Sequence, residues 1–173
     1  MEVRVRPARP ADYAAVARLT VAAYHADGQL AEETGGYADM LADVAARAEA
    51  GELLVAADDG TGQVLGAVTY CRPGSAYSQL AREGEGEFRM LAVDPAAQGQ
   101  GVGAALVRAC LARAENHGCA AVVICYRDFA EAARRLYTRL GFVRDPGRDW
   151  CPLPDVRLLA LRVALPAHSG DVP

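Results

Sequence analysis

Lysine is absent, so all 18 basic residues of this 173-residue chain are arginine, and against 22 acidic residues they leave a net charge of −4. That balance excludes a general attraction for nucleic acid or an anionic membrane, while it tolerates a cationic substrate. The lysine-free, arginine- and alanine-rich usage reads as compositional bias and carries no functional meaning. Long hydrophobic runs are missing too. The longest apolar stretch, Ala120 to Cys125, is far too short to span a bilayer. The first residues, Met1-Glu2-Val3-Arg4-Val5, hold no apolar run suited to a signal peptide, so a cytoplasmic protein is expected. Cysteine is sparse and unpatterned: Cys71, Cys110, Cys119, Cys125 and Cys151 form no CxxC pair and leave one unpaired in any connectivity. They read as buried, inert thiols rather than disulfides or zinc ligands. His25, His117 and His168 show no metal-ligand spacing, and no metal is expected. Internal repeats and low-complexity tracts are absent as well.

What is present suffices for a core. Hydrophobic residues make up 52% and charged residues 23%, which excludes a disordered chain, and the length fits one domain over residues 1–165 with a flexible tail at 166–173. Val3 to Arg6 alternates like a strand and stops at Pro7. Pro10 and Asp12 start a helix with Val16, Leu19 and Ala23 at helical spacing, ended by Gly28. After a polar loop, Tyr37 to Ala50 reads as one helix closed by Gly51. Leu53–Ala57 and Val64–Cys71 are predicted strands joined by a hairpin connection, and Arg72–Gly86 is a long loop. A strand over Phe88–Val93 leads through Asp94-Pro95 to a glycine-rich turn and a long helix ending at Gly118. Cys119–Cys125 reads as a central strand, Phe129–Leu140 as a helix capped by Gly141, and Phe142–Arg144 and Val156–Val163 as the last strands. The order β-α-α-β-β-β-α-β-α-β-β predicts an α/β fold: a mixed sheet with helices on both faces.

The turn Gln98-Gly99-Gln100-Gly101-Val102-Gly103 bares the backbone at a helix start, where the first amides have no internal partners and a pyrophosphate can approach closely. No Lys-Ser/Thr pair follows, so this is not a Walker-type loop and does not call for Mg²⁺. Gly99-x-Gly101-x-x-Ala104 also fits a loose dinucleotide fingerprint, with Asp128 near the place of a ribose-binding acid. Against that, Asp94 to Gln98 intervene between strand and glycines, whereas a dinucleotide turn follows its strand at once. A helix start that merely happens to be glycine-rich is the remaining reading.

The run Leu91 to Gly103 resembles the acyl-CoA signature of the GNAT-type N-acetyltransferase superfamily: apolar strand, Pro-containing turn, then Gln/Arg-x-x-Gly-x-Gly/Ala. About thirty residues on, Leu136-Tyr137-Thr138-Arg139-Leu140-Gly141-Phe142 looks like the same family's second block. The resemblance implies an N-acetyltransferase that moves the acetyl group of acetyl-CoA to a primary amine by direct attack in a ternary complex. A non-catalytic acyl-CoA-binding sensor is the alternative. It further implies that the backbone of Leu91, Ala92 and Val93 pairs with the pantetheine arm. Amides from Gly99 through Gln100, Gly101, Val102 and Gly103 to Ala104 would hold the pyrophosphate, helped by the Gln98 side chain. An amide near Leu91 would polarise the thioester carbonyl. Ala130 departs from the family pattern, standing where an Asn often contacts coenzyme A.

An alkylamine with a pKa of about 10.4 is mostly ammonium at neutral pH, so a base or a water relay is needed. Glu87 matches the position of the base in some relatives; its other reading is a strand-edge carboxylate, solvated or paired with Arg89. Tyr137 falls at the family's acid position, where a phenol of pKa about 10 can protonate a leaving thiolate; otherwise it is a half-buried tyrosine at the margin of a stripe formed by Phe129, Ala133, Leu136 and Leu140. The acceptor pocket of this architecture would be lined by Tyr24, His25, Glu32, Glu33, Tyr37, Tyr77 and Trp150. Glu32 and Glu33 would draw in a cationic amine or simply be solvated, and Trp150 would pack on substrate or cover the sheet end. A small-molecule or peptide amine is the expected partner, with no nucleic acid or membrane, and a homodimer stays open.

Overall fold

A computed structural model describes residues 1–30 and 36–167. Strand β1 (Val3–Pro7) runs into helix α1 (Tyr13–Ala26) through a short 3-10 turn at Pro10–Asp12. Asp12 fixes that corner: its carboxylate accepts from both terminal nitrogens of Arg6 at 2.7 and 3.0 Å and from the Arg9 amide at 2.7 Å. Helix α1 buries Val16, Leu19, Thr20 and Ala23, the i, i+3, i+4, i+7 set of one helix face.

The predicted helix over Tyr37–Ala50 is two helices, α2 (Tyr37–Ala42) and α3 (Val44–Ala50). Asp43 breaks it: its ψ is 72°, and its side chain caps the Ala46 amide at 3.2 Å, the competing hydrogen bond that makes Asp a helix starter rather than an interior residue. The remaining elements are β2 (Glu52–Asp58), β3 (Val64–Cys71), β4 (Glu85–Val93), α4 (Val102–Asn116), β5 (Ala121–Arg127), α5 (Glu131–Arg139), β6 (Val143–Arg144), β7 (Trp150–Leu153) and β8 (Val156–Ala164). β7 is an addition to the predicted order. It contains Pro152 and lies at an edge, beside β8 only, where a residue without an amide hydrogen is tolerated.

The eight strands form one mixed sheet in the order β1-β2-β3-β4-β5-β8-β6, with β7 on β8. β1 to β4 are an antiparallel series; β4 and β5 are parallel. Period-two alternation divides the core between the faces. Leu54, Ala56 and Tyr70 pack with Val102, Leu106 and Cys110 of α4, while Leu53, Val55 and Ala67 pack with Val16 of α1 and Val44 of α3. This is the α/β mixed sheet with helices on both faces that the sequence predicts. Among the described residues no helix is long and apolar enough to cross a membrane.

A buried ion cluster ties the two halves of the sheet together at the foot of β4. Arg148 meets both oxygens of Glu85 at 2.8 and 3.0 Å, and Arg162 of β8 adds a third contact at 3.1 Å. Burial pushes the Glu85 carboxyl up, but hydrogen bonds from Arg148, the Arg82 amide and Arg162 together bring it down to about 2 from 4.5. A depressed carboxylate contributes stability above its unfolded pKa and loses it as pH falls through the folded one. Chemical denaturation is therefore expected to show stability falling between about pH 5 and pH 2. The fall should be shallower in Glu85→Gln; an identical slope would remove Glu85 from the account.

Candidate active site

The site begins with an irregularity in β4. Met90 has φ 57°, the one positive φ outside glycine among the described residues. Across to β3 the register passes from Ala67↔Ala92 to Thr69↔Arg89, so Met90 and Leu91 together oppose Val68. That is a bulge, and it bends the strand. β4 accordingly pairs with β5 only at Glu85↔Ala121, Gly86↔Val122 and Glu87↔Val123. Beyond Glu87 the strands part, while β5 stays paired to β8 along its other edge as far as Arg127. The facing edges of Arg89–Val93 and 124–127 thus carry amides and carbonyls that the sheet does not use, an arrangement suited to an added strand.

Directly beyond lies the glycine turn. Asp94 accepts from the Ala96 amide and starts the 3-10 turn at Pro95–Ala97. Gly99 and Gly101 have φ of 77° and 82°, and Gly101 caps α4 with no side chain occupying the helix amides. A Cβ on either glycine would meet nothing within 4 Å, so these positions require glycine for backbone conformation, and the space before the amides is open. Gly103 serves packing instead: a Cβ there would lie 3.1 Å from Leu136 of α5.

Both features open into one cleft of about 1060 Å³. Of the predicted donor-site residues, Leu91, Ala92, Val93, Gln98, Gly99, Gly101, Val102, Gly103 and Ala104 line it, and Gln100 does not. Ala130 also stands in the wall. Tyr24, Tyr37 and Tyr77 line the opposite part together with Tyr137. Glu32, Glu33 and His168 lie outside the described residues, and His25 is exposed and not in the wall.

Tyr137 is the buried residue of α5, 6% exposed, rather than a marginal one. The helix starts at Glu131, later than predicted, and Phe129 falls outside it at 46% exposure. The Tyr137 ring packs against Phe142, Phe88 and Tyr126, with centroids 5.8, 5.9 and 6.5 Å away. Burial pushes its phenol well up, Cys125 and Cys110 adding to the effect, so it stays protonated at neutral pH. Tyr24 is raised by burial and then by nearby Tyr37 and Tyr137, and its ring lies 6.0 Å from that of Tyr37.

Glu87 is placed differently from the expected base. It is 1% exposed and does not line the cleft. Its carboxylate accepts from the amides of Gln79 (2.9 Å), Leu80 (2.7 Å) and Ala81 (2.9 Å), with the Ser78 hydroxyl at 3.4 Å. These bonds fasten the long loop before β4, which carries Tyr77 and Gln79 into the cleft wall. With Oε1 shared among these donors and the side chain buried outside the cleft wall, Glu87 is not placed to meet a substrate proton. Trp150 also stays out of the wall; it opens β7 opposite Leu158, and Pro152 and Leu153 from the same strand face the cleft instead.

Several wall residues escape sequence reasoning. Arg89 shares the motif strand, but the bulge decides where it points. Its guanidinium donates to the Tyr77 carbonyl at 3.0 Å and lies 5.7 Å from the Tyr77 ring centroid. Arg127 ends β5 and stacks 4.8 Å over Phe129. Position at the carboxyl end of a parallel strand was the available signal, since ligands gather there in α/β sheets. Asp27, the C-cap of α1, is the one carboxylate in the described wall, and burial raises its pKa, opposed by a hydrogen bond from Gln29. Cys125 is pushed up to about 11, by burial first and then by Glu87. Among the described residues no group of three or more His, Cys, Asp or Glu could hold a metal ion.

Residues 15–142 match the model of the acetyltransferase (GNAT) family. Among solved structures the chain is similar to a histone acetyltransferase HPA2 and related acetyltransferase from Corynebacterium glutamicum, at 26% identity and TM-score 0.69, covering 96% of this chain and 99% of that one. It is also similar to yncA from Salmonella typhimurium, solved with its cofactor acetyl-CoA, at 24% identity and TM-score 0.66, covering 96% of both chains. A GNAT-family acetyltransferase from Staphylococcus aureus Mu50 shares the fold at 11% identity and TM-score 0.72, over 95% of this chain and 100% of that one. No curated protein matches the chain.

Proposed function

Because this chain belongs to the acetyltransferase (GNAT) family, we propose that it transfers the acetyl group of acetyl-CoA directly to a primary amine held beside it in a ternary complex. The observation that carries this reading is the convergence of three features on one cleft: the edges parted by the Met90 bulge, the uncapped amides of α4 and the Tyr137 phenol. The parted edges receive the pantetheine amides as an added strand, and the α4 amides receive the pyrophosphate. A β4 amide near Leu91 polarises the thioester carbonyl. The neutral amine attacks that carbonyl, the carbon–sulfur bond breaks, and Tyr137 gives its proton to the departing thiolate.

With Glu87 occupied by loop amides, the amine's proton leaves through water, with Asp27 the carboxylate best placed in the described wall to receive it. An acyl-cysteine route is disfavoured. At a pKa of about 11 the Cys125 thiol is ionised to only about one part in ten thousand at neutral pH.

Calorimetry with acetyl-CoA and with NAD, followed by thiol release over a panel of amines, tests the reading. Saturable acetyl-CoA binding and turnover are expected; NAD binding without CoA binding would sink it. Gly101→Val should weaken CoA binding by about tenfold or more, because a β-branched residue at φ 82° carries strain of about 1–3 kcal/mol and turns the amides away. Unchanged affinity in that variant would move the phosphate site elsewhere.

A further inference from the structure

Seven of the described arginines are buried or half-buried. Four of these, Arg6, Arg113, Arg148 and Arg162, each reach a carboxylate. The other three, Arg47, Arg89 and Arg127, reach none within 4 Å among the described residues; Arg89 and Arg127 line the cleft, and Arg47 lies behind it against Met90. Arg47 of α3 is 0% exposed, and its Nε and Nη2 have no hydrogen-bond partner among the described residues. Its Nη1 meets only the Met90 sulfur at 3.3 Å, and Met90 lines the cleft. The ionisable groups acting on it most strongly are Tyr24, Tyr77 and Tyr37, all of them in the cleft wall. Arg127 has a buried Nε without a partner among the described residues, and both Arg89 and Arg127 act on Tyr37. Glu87 makes no ion pair with them within 4 Å, its carboxylate accepting from the loop amides instead.

A guanidinium stays charged when buried, and a buried charge without a partner is strongly unfavourable. Among the described residues Arg47 and Arg127 hold buried donors without an acceptor, and Arg89 beside Tyr77 is matched only by that residue's carbonyl and ring. We propose that this end of the cleft receives a carboxylate, and that the acceptor is a small aminocarboxylate such as a free amino acid. This deepens the acetyl-transfer reading and rests on it. Arg89 and Arg127 contact the carboxylate from the wall, and Arg47 adds positive potential from behind the tyrosines. Asp27 receives the ammonium end. Both ends of the acceptor must fit within one part of a single cleft, which favours a free amino acid over the chain end of a peptide.

The test measures thiol release for amino acids and for their uncharged amides, with calorimetry of both on the CoA-saturated protein. Each acid should show a KM about tenfold to a hundredfold below that of its amide, the range of a charge-assisted hydrogen bond. Arg127→Met and Arg89→Met should each raise the KM of the acid more than that of the amide, narrowing the ratio between them by a similar factor. Arg47→Met should also weaken selectivity, with an unchanged or higher melting temperature, since it removes a buried charge that has no partner. Amides used as well as acids, or acid selectivity surviving all three substitutions, would overturn this inference and leave acetyl transfer standing. Saturable binding of acids without turnover of any amine would support the carboxylate site and overturn transfer. Neither binding nor turnover would overturn both.

Discussion

Tyr137→Phe is expected to lower kcat by about a hundredfold to ten-thousandfold, the usual consequence of losing a positioned general acid. CoA affinity and melting temperature should stay near normal. The ring would still pack against Phe88, Tyr126 and Phe142, and no hydrogen bond within the described residues depends on the hydroxyl. Burial holds the phenol above its ordinary pKa, so the rate should show no loss attributable to Tyr137 ionisation up to about pH 10. Wild-type kcat in an assay limited by chemistry would make Tyr137 a packing residue. A variant that fails to fold would make the hydroxyl structural, contrary to its surroundings.

Glu87→Ala is expected to act first on stability. It would strip the acceptor from three loop amides at once, and unsatisfied buried donors cost about 1–3 kcal/mol each before the loop relaxes toward water. A net loss of about 3 kcal/mol is expected by urea denaturation. The loop carries Tyr77 and Gln79 to the cleft, so KM for the acceptor should rise more than kcat falls. Glu87→Gln separates the two roles, because the shape is kept and one acceptor oxygen remains. A well-folded Gln variant with collapsed kcat and normal KM would restore Glu87 as the base.

Local chemistry made the glycine turn and the strand and helix beside it, which line the cleft, legible in the sequence. A strand ending in Asp-Pro, glycines before a helix and a second block at α5 are short-range patterns, and short-range physics forms them. The acceptor half was not legible, because its residues are placed by contacts distant in sequence. Glu87 reads as a solvated strand-edge acid until the loop before β4 folds back over it. Nothing local marks Arg47, which is buried by the docking of α3 and its contact with Met90. Tyr137 moves from the margin to the centre of the core because α5 begins two residues later than its apolar spacing suggests. The break at Asp43 was present as capping chemistry, but apolar spacing across it concealed the boundary.

The brief ladder between β4 and β5 has a consequence for how the molecule comes apart. Three rungs are all the strand pairing that joins the β1–β4 half of the sheet to the half built on β5 and β8, the rest of the junction being side chains: the Glu85 cluster and the core that α4 packs across both halves. Such a seam is where native-state opening should be cheapest, each half retaining its own antiparallel pairing when the rungs separate. A molecule lying along both parted edges spans the seam and favours the joined state over the opened one. Its binding energy then appears as cohesion of the whole chain, about 2.7 kcal/mol at a concentration a hundredfold above its Kd. The same three rungs that part the strands would make any ligand bound along both edges a determinant of how cooperatively the protein unfolds.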